Sequence, residues 1–249
     1  MKVALLVKGT PVELRPTKSG GYVREELILN ETELSAAGFI NKLCAAVNDV
    51  TVDVVSMGPE VNTEVIVQAA SVFDEELWGE FYLLSDPRLK GSDTYATSNV
   101  LASFLKKKNY QLILTGSYTQ DSATSFVPAQ IAHILGYAFA GDIVEIVEVR
   151  SEYVHLKAGE NWLDEMKVKY PALLAFAPSK VAINFGRIAK ALKREVKVIE
   201  GDEIEVKPSL TEVVAVEKIK FEKKAEKIEG DVLEKAKRVL EIIKGGEEL

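Results

Sequence analysis

The chain has 249 residues, with 31 Lys and Arg against 38 Asp and Glu, which gives a net charge of −7. Its hydrophobic fraction of 47% is that of a globular protein and excludes a wholly disordered chain. The one cysteine, Cys44, excludes a disulfide scaffold, an iron–sulfur cluster and a thiolate zinc site, and the two histidines, His133 and His155, lack metal-ligand spacing.

The charge balance and the apolar segments also limit the partners. An acidic chain is a poor match for nucleic acid, which binds clustered positive charge. No window approaches 18 apolar residues, so no membrane insertion is expected. The apolar run in Met1–Val7 is too short for a signal peptide and is followed by Lys8. With one thiol and no export signal, the sequence favours a cytoplasmic protein.

Charged side chains are distributed unevenly along the chain. Residues 1–192 hold 41 of them, whereas the 57 residues from 193 to 249 hold 28. This shift predicts a folded domain over residues 1–192 and a charged arm over residues 193–249 that lies on a partner, since so charged a segment cannot bury a core of its own.

In the first half of the chain, strand and helix patterns alternate four times. Strands are predicted at Val3–Val7, Thr51–Ser56, Phe81–Leu84 and Gln111–Thr115. Helices are predicted at Thr32–Val47, with Thr32 as its cap, at Thr63–Val72, at Ser92–Lys107, and from the loop after Gly116 to about Gly136. This alternation predicts an α/β fold, a doubly wound parallel sheet with right-handed crossovers.

After Gly136 the pattern changes. Strands are predicted at Ile143–Arg150, Tyr153–Leu156, Glu165–Tyr170, Ala172–Phe176 and Glu195–Ile199, and helices at Ile183–Lys193 and Asp231–Lys244. The last helix has the clearest signals: Asp231 as N-cap, Glu234 at the capping-box position and Gly245 as the C-terminal stop. Its apolar face is expected to dock on a partner.

Ligands of doubly wound sheets bind at the carboxyl ends of the strands, beside the topological switch point. The loops in question are Lys8–Val12, Ser56–Pro59, Ser85–Asp93 and Gly116–Val127. The stretch from Gly116 to Gln130 joins a strand to a helix N-terminus and is rich in small polar residues, so it fits an anion site or an ordinary helix cap equally well. Gly91-Ser92-Asp93-Thr94 allows the same two interpretations, with capping favoured.

Other motifs are uninformative. Ser19-Gly20-Gly21 lacks the remainder of a pyrophosphatase phosphate loop and fits a turn or hairpin tip. No GxGxxG, Walker A or G-x-S-x-G motif occurs, both histidines fit structural roles, and no close carboxylate pair suggests acid–base catalysis.

Several segments, in order along the chain, resemble the β subunits of electron-transfer flavoproteins. They are Val7-Lys8-x-x-Pro11; Asn30; Ser56-Met57-Gly58-Pro59; Leu84-Ser85-Asp86 with Gly91-Ser92-Asp93-Thr94-x-Ala96-Thr97; Leu114-Thr115-Gly116 with Asp121, Thr124, Val127 and Gln130; Lys169-Tyr170-Pro171-Ala172-Leu173-Leu174; and Val196-Lys197-Val198-Ile199. The resemblance implies a Rossmann-like, adenine-nucleotide-binding subunit of a heterodimer. It also implies an electron carrier rather than an enzyme, in some members part of an electron-bifurcating complex.

By this resemblance, FAD is held mainly by an α subunit, and this chain holds AMP or a second FAD. The residues implied to line that nucleotide are Lys8, Gly9, Asn30, Ser56, Met57, Gly58, Gly116, Asp121, Ser122, Ala123, Thr124, Ser125, Phe126 and Val127, with main-chain N–H groups of Ala123–Val127 on the phosphate. Electrons would come from flavin dehydrogenases such as acyl-CoA dehydrogenases, and Val181 or Ile183 would be the anchor on which the dehydrogenase docks. The alternative is that Val181 and Ile183 belong to the buried first turn of the following helix.

The sequence departs from the family pattern at three places. Asn30-Glu31-Thr32-Glu33 stands where Asn-Pro-Phe-Asp is usual, Gly116-Ser117-Tyr118 where Gly-Lys-Gln is usual, and Thr124-Ser125-Phe126 where Thr-Gly-Gln is usual. These changes remove polar side chains but keep the main-chain cradle. A stand-alone adenine-nucleotide sensor of similar fold is the alternative function. A nucleotide hydrolase or pyrophosphatase is a third possible function, but the sequence lacks the phosphate-loop motif of those enzymes.

Overall fold

The computed structural model describes residues 1–12, 26–159, 163–179, 185–214 and 227–244. The chain divides into two compact units, Met1–Val216 and Glu217–Leu249. The expectations for Ser19-Gly20-Gly21, Val181, Ile183 and Gly245 concern positions outside the described residues.

The described part of the first unit contains eleven strands and five α-helices. The strands are β1 Lys2–Val7, β2 Gly9–Pro11, β3 Leu27–Leu29, β4 Thr51–Met57, β5 Trp78–Leu84, β6 Leu112–Gly116, β7 Ala138–Val149, β8 Tyr153–Ala158, β9 Asp164–Lys169, β10 Ala172–Phe176 and β11 Val196–Ile199. The helices are α1 Glu31–Ala46, α2 Thr63–Ala70, α3 Thr94–Lys106, α4 Phe126–Leu135 and α5 Phe185–Ala191.

Nine of these strands form one sheet in the order β11-β5-β4-β1-β6-β10-β7-β8-β9. The first seven strands in this order pair in parallel, and β8 and β9 extend the sheet antiparallel. The α/β fold with a mostly parallel sheet is therefore confirmed. Strands β2 and β3 form a separate antiparallel pair, which the sequence reading did not include.

Hydrophobic side chains cover both faces of the central strands of the sheet. Val3, Leu5 and Val7 of β1 belong to a core with residues of α1 and α2, whereas Ala4 and Leu6 belong to a core with residues of α3 and α4. Strands β6 and β10 are buried at every position. Two-sided burial explains why these strands read as continuous apolar runs rather than alternating patterns.

The topological switch point lies between β1 and β6. From β1 the chain crosses through α1 to β4 on one side, and it later returns through α3 to β6 on the other side. The crossovers on the two sides of β1 therefore diverge, which opens a crevice at the carboxyl ends of β1 and β6.

Three elements differ from the sequence expectations. Helix α1 begins at Glu31 with Asn30 as its N-cap residue and no side-chain cap, so the expected cap at Thr32 is wrong; the Thr32 hydroxyl bonds elsewhere. Strand β7 begins five residues before Ile143. Strand β11, expected in the charged arm, is the parallel edge strand next to β5 and lies within the first compact unit.

The second unit contains one described helix, α6 Val232–Lys244. The Asp231 side chain accepts hydrogen bonds from the N–H groups of Leu233 and Glu234, at 2.8 and 2.9 Å, and Glu234 accepts one from the Asp231 N–H at 3.0 Å. The expected capping box is thus confirmed. Large apolar side chains along this helix are exposed: Val232, Leu233, Val239, Leu240, Ile242 and Ile243. No helix within the described ranges combines the length and apolar character needed to cross a membrane.

Candidate functional site

The crevice at the switch point is bounded by three segments that are distant in sequence. Lys8 and Gly9 follow β1, the first turn of α1 contains Thr32 and Glu33, and the loop after β6 leads from Ser117 into α4. Their contacts fix the shape of this edge of the sheet.

The first turn of α1 is tied to the loop after β6. The buried Asn30 amide donates to the Tyr118 carbonyl and to the Thr32 hydroxyl, both at 2.6 Å, and the Thr32 hydroxyl donates to the same carbonyl at 2.8 Å. The amide donors of Asn30 are thus used within the protein. Asn30 shapes the crevice by holding the β6 loop.

Gly116 makes this close approach possible. A Cβ atom at position 116 would lie 2.1 Å from Thr32 Oγ1 and 3.0 Å from Glu33 Cγ. Real Cβ atoms do not approach other atoms so closely. A glycine at the end of β6 is therefore required by the packing of α1 on the loop, and not by a left-handed backbone.

Lys8 brings positive charge into the crevice. Its Nζ lies 2.8 Å from Asp121 Oδ1 and 3.4 Å from Thr119 Oγ1. The Thr119 hydroxyl also donates to Asp121 Oδ1 at 2.7 Å and lies 3.1 Å from the Ser122 hydroxyl. Lys8, Thr119 and Asp121 thus form a polar cluster at the mouth of the crevice, with about a third of the Lys8 side chain exposed.

Glu33 lies below this cluster and is almost completely buried. Its Oε2 accepts the main-chain N–H of Lys8 at 3.0 Å. Burial raises the pKa of the Glu33 carboxyl to about 8, because the ionised form loses its hydration; the Lys8 main-chain bond and the Lys8 charge lower it, and the Asp121 charge raises it. Sequence reasoning missed Glu33, although it follows Asn30 by three residues.

The loop before α4 turns through two left-handed residues, Ala123 at φ 47° and Ser125 at φ 57°. The Ala123 N–H donates to the Thr119 carbonyl at 2.8 Å, which closes the loop. Within the described part of the chain, the main-chain N–H groups of Thr124–Val127 donate to no acceptor. These exposed donors begin a ten-residue helix, where the helix dipole adds positive potential.

This set of donors fits a phosphate group. Main-chain N–H groups at a helix N-terminus and a nearby ammonium group are the partners that a phosphate oxygen accepts from. Of the implied cradle Ala123–Val127, residues 124–127 offer their N–H groups, whereas that of Ala123 is used inside the loop.

The loop after β4 lies at the same edge, one strand from β1. The Asn62 amide donates to the Ser56 hydroxyl at 3.0 Å and to the Met57 carbonyl at 3.3 Å, and the Gly58 N–H donates to the Leu84 carbonyl at 3.0 Å. A Cβ atom at position 58 would lie 2.7 Å from Asn62 Nδ2. Asn62, which the sequence reading did not single out, therefore holds Ser56, Met57 and Gly58 in place.

The other candidate segments are explained by structural roles. Asp93 caps α3 by accepting the Ala96 N–H at 2.8 Å, so Gly91-Ser92-Asp93-Thr94 is a helix cap. His155 pairs with Glu165 across β8 and β9 at 2.7 Å, and His133 is exposed on α4. Among the described residues, no group of three or more potential His, Cys, Asp or Glu ligands could hold a metal ion.

Comparison with known proteins gives the family. The profile of the electron transfer flavoprotein domain matches residues 21–204, which is most of the chain. The chain belongs to the electron transfer flavoprotein family. It is 30% identical over 207 residues to the electron transfer flavoprotein subunit beta of Thermoanaerobacterium thermosaccharolyticum, covering 76% of each chain.

Two further relatives are similar to the chain. The subunit beta of Clostridium acetobutylicum is 32% identical over 159 residues, covering 62% of this chain and 60% of the relative. The caffeyl-CoA reductase-Etf complex subunit CarD of Acetobacterium woodii is 30% identical over 182 residues, covering 70% and 67%. The resemblance predicted from sequence motifs is confirmed, and these relatives support an electron-transfer role for the chain.

Proposed function

We propose that this chain is the β subunit of a heterodimeric electron-transfer flavoprotein and that it holds an adenine nucleotide in the switch-point crevice. The α subunit would hold most of the FAD. The nucleotide of this chain would be AMP or, as in electron-bifurcating members, a second FAD. The chain would act as a carrier subunit, without a catalytic residue of its own.

The observation that carries the proposal is the convergence of phosphate donors at the switch point. The N–H groups of Thr124–Val127 stand at the start of α4. The Lys8 ammonium contacts Thr119 and Asp121 of the loop that precedes this helix. A phosphate placed here would accept main-chain hydrogen bonds and neutralise part of the local positive potential.

The residues around these donors would orient the remainder of the nucleotide. Asn30 and Thr32 hold the Tyr118 carbonyl and so set the position of the β6 loop. Ser56, Met57 and Gly58, fixed by Asn62, would form the opposite wall. When bound, the flavin supplies the redox chemistry; the protein supplies binding and orientation.

Contact with a partner subunit would explain the exposed apolar face of α6. Its exposed apolar side chains, Leu233 and Leu240 among them, form a surface that a free helix would not maintain in water. We propose that this face packs on the α subunit. Docking of flavin dehydrogenases such as acyl-CoA dehydrogenases, the anchor role of Val181 or Ile183, electron bifurcation and the cytoplasmic location stay predictions.

Co-expression with an α subunit from the same genome tests the proposal. We expect a yellow complex with one copy of each subunit. The control is this chain expressed alone. Recovery of this chain from the co-expression as a colourless homodimer, without the α subunit, would contradict the proposal and favour the adenine-nucleotide sensor.

A further inference from the structure

Glu33 stands out in the crevice because it is a buried carboxyl group with charged neighbours of both signs. Its Oε2 accepts the Lys8 N–H at 3.0 Å, and its Cγ packs against the Gly116 main chain, where a Cβ atom would lie 3.0 Å away. The charged groups that face it from other segments, among the described residues, are Lys8 at the end of β1 and Asp121 in the β6 loop.

We propose that Glu33 couples phosphate binding in this crevice to the protonation of its carboxyl group. The inference rests on the proposed nucleotide site and adds a positioning residue to it. In its protonated form Glu33 leaves, among the described residues that face it, one ammonium, Lys8, and one carboxylate, Asp121. In its ionised form it adds a second carboxylate directly below the segment that a phosphate approaches.

Electrostatics give the direction of the effect. Burial already raises the pKa of Glu33 to about 8, so near neutral pH the carboxyl is mostly protonated. A bound phosphate adds negative charge nearby, which disfavours the ionised form further. The bound protein therefore keeps its proton to a higher pH than the free protein, and nucleotide affinity must fall as pH rises through about 8.

The Lys8 main chain transmits this effect to the site. Lys8 is bonded to Glu33 through its N–H and to Asp121 through its Nζ, so the carboxyl holds the residue that carries the positive charge of the crevice. Substitution by glutamine keeps the oxygen acceptor for the Lys8 N–H and removes the titration. Glu33→Gln is thus a probe of charge with little change of shape.

The experiment measures binding of AMP and of FAD to the full chain by calorimetry from pH 7 to 9.5, in two buffers that differ in ionisation enthalpy. A phosphate monoester is already doubly ionised in this range. For wild type we expect affinity to fall about fivefold to tenfold, since one unit of pKa change equals a factor of ten. A pKa rise of this size gives an uptake of about half a proton at most, between pH 8 and about pH 9. Glu33→Gln should bind with a constant affinity and no proton uptake.

Glu31→Gln is the matched control, because Glu31 lies in the same helical turn but is exposed. It should behave as wild type. Carbon-13 NMR of the Glu33 carboxyl gives an independent reading in unsubstituted protein: its titration should move to higher pH when nucleotide binds. This measurement keeps the proposal testable if Glu33→Gln does not fold.

The outcomes distinguish a failure of the proton linkage from a failure of the nucleotide site. Nucleotide binding that is independent of pH, an unmoved Glu33 titration, or a dependence that persists in Glu33→Gln would each overturn the proton linkage while leaving the nucleotide site standing. A chain that binds neither AMP nor FAD at any pH would overturn both.

Discussion

The substitution Gly116→Ala tests the packing that shapes the crevice. The added methyl group would meet the Thr32 hydroxyl at 2.1 Å, Thr32 Cβ at 2.8 Å and Glu33 Cγ at 3.0 Å. All three atoms belong to buried residues in the first turn of α1. Thr32 is β-branched, so few rotamers are open to it. The clash can therefore be relieved only by moving the helix or the loop.

The magnitude follows from two contributions. Overpacking of a close contact costs about 1–3 kcal/mol. Displacement of the Thr32 side chain also breaks its 2.8 Å bond to the Tyr118 carbonyl, which costs about 1 kcal/mol. We expect Gly116→Ala to lower the free energy of unfolding by about 2–4 kcal/mol.

Urea unfolding at pH 7 measures this loss, and two further variants identify its cause. Gly91→Ala is the control: no atom lies within 4 Å of the added Cβ, but φ is +78°, so it reports backbone strain of about 1 kcal/mol alone. In the double variant Thr32→Ala/Gly116→Ala the 2.1 Å contact is absent, so its loss should be smaller than the sum of the two single losses.

Two results would refute the packing argument. One is a Gly116→Ala protein as stable as wild type. The other is strict additivity with Thr32→Ala, which would mean that residues 32 and 116 are not in energetic contact.

Three further predictions concern the loop, the segment after β11 and α6. Thr124→Pro removes one N–H donor and places a proline after the left-handed Ala123. It should weaken AMP binding at least tenfold, whereas the AMP affinity of Thr124→Ala should stay within about twofold of wild type in the same titration. Asp93→Ala should cost about 1 kcal/mol of unfolding free energy at pH 7, because Asp93 caps α3 and also accepts the N–H groups of Leu210 and Thr211 at 2.7 and 3.0 Å. The hydrogen bond from the Ala96 N–H, together with those from Leu210 and Thr211, lowers the pKa of Asp93. The stabilisation by Asp93 is therefore present above the ordinary carboxyl pKa and is lost as pH falls through the lowered pKa. The difference in unfolding free energy between wild type and Asp93→Ala should thus shrink in acid. Leu240→Gln should raise the dissociation constant for the α subunit about tenfold or more by removing an apolar contact, whereas Glu241→Gln on the same helix should leave it within about twofold; equal effects of the two would contradict docking through the apolar face.

The sequence predicted the elements whose burial pattern is strong. The apolar runs of β1, β6 and β10 are buried on both faces, and the capping box of α6 is a local motif that needs no tertiary contact. Strand β11 was expected as a strand but assigned to a charged arm, since its edge position lets Lys197 pair with Glu80 at 2.9 Å and keep its charge in solvent. Charge content alone cannot distinguish an arm from an edge strand.

The contacts inside the crevice could not be predicted in the same way. Lys8 and Asp121 are separated by 113 residues, and Asn30 and Tyr118 by 88. Sheet topology indicated that their loops meet, but which donors are used within the protein depends on side-chain geometry. The family resemblance implied Asn30 as a ligand contact, which stays a prediction; in the structure its amide holds the β6 loop. Glu33 emerged only from its burial.

The central claim is that this chain carries an adenine nucleotide of its own beside the flavin of its partner. The most direct measurement is mass spectrometry of the nucleotides released on denaturing the complex with the α subunit. We expect two nucleotides per heterodimer, either one FAD and one AMP or two FAD, with the second one lost in Thr124→Pro. Release of a single FAD and no other nucleotide would contradict it.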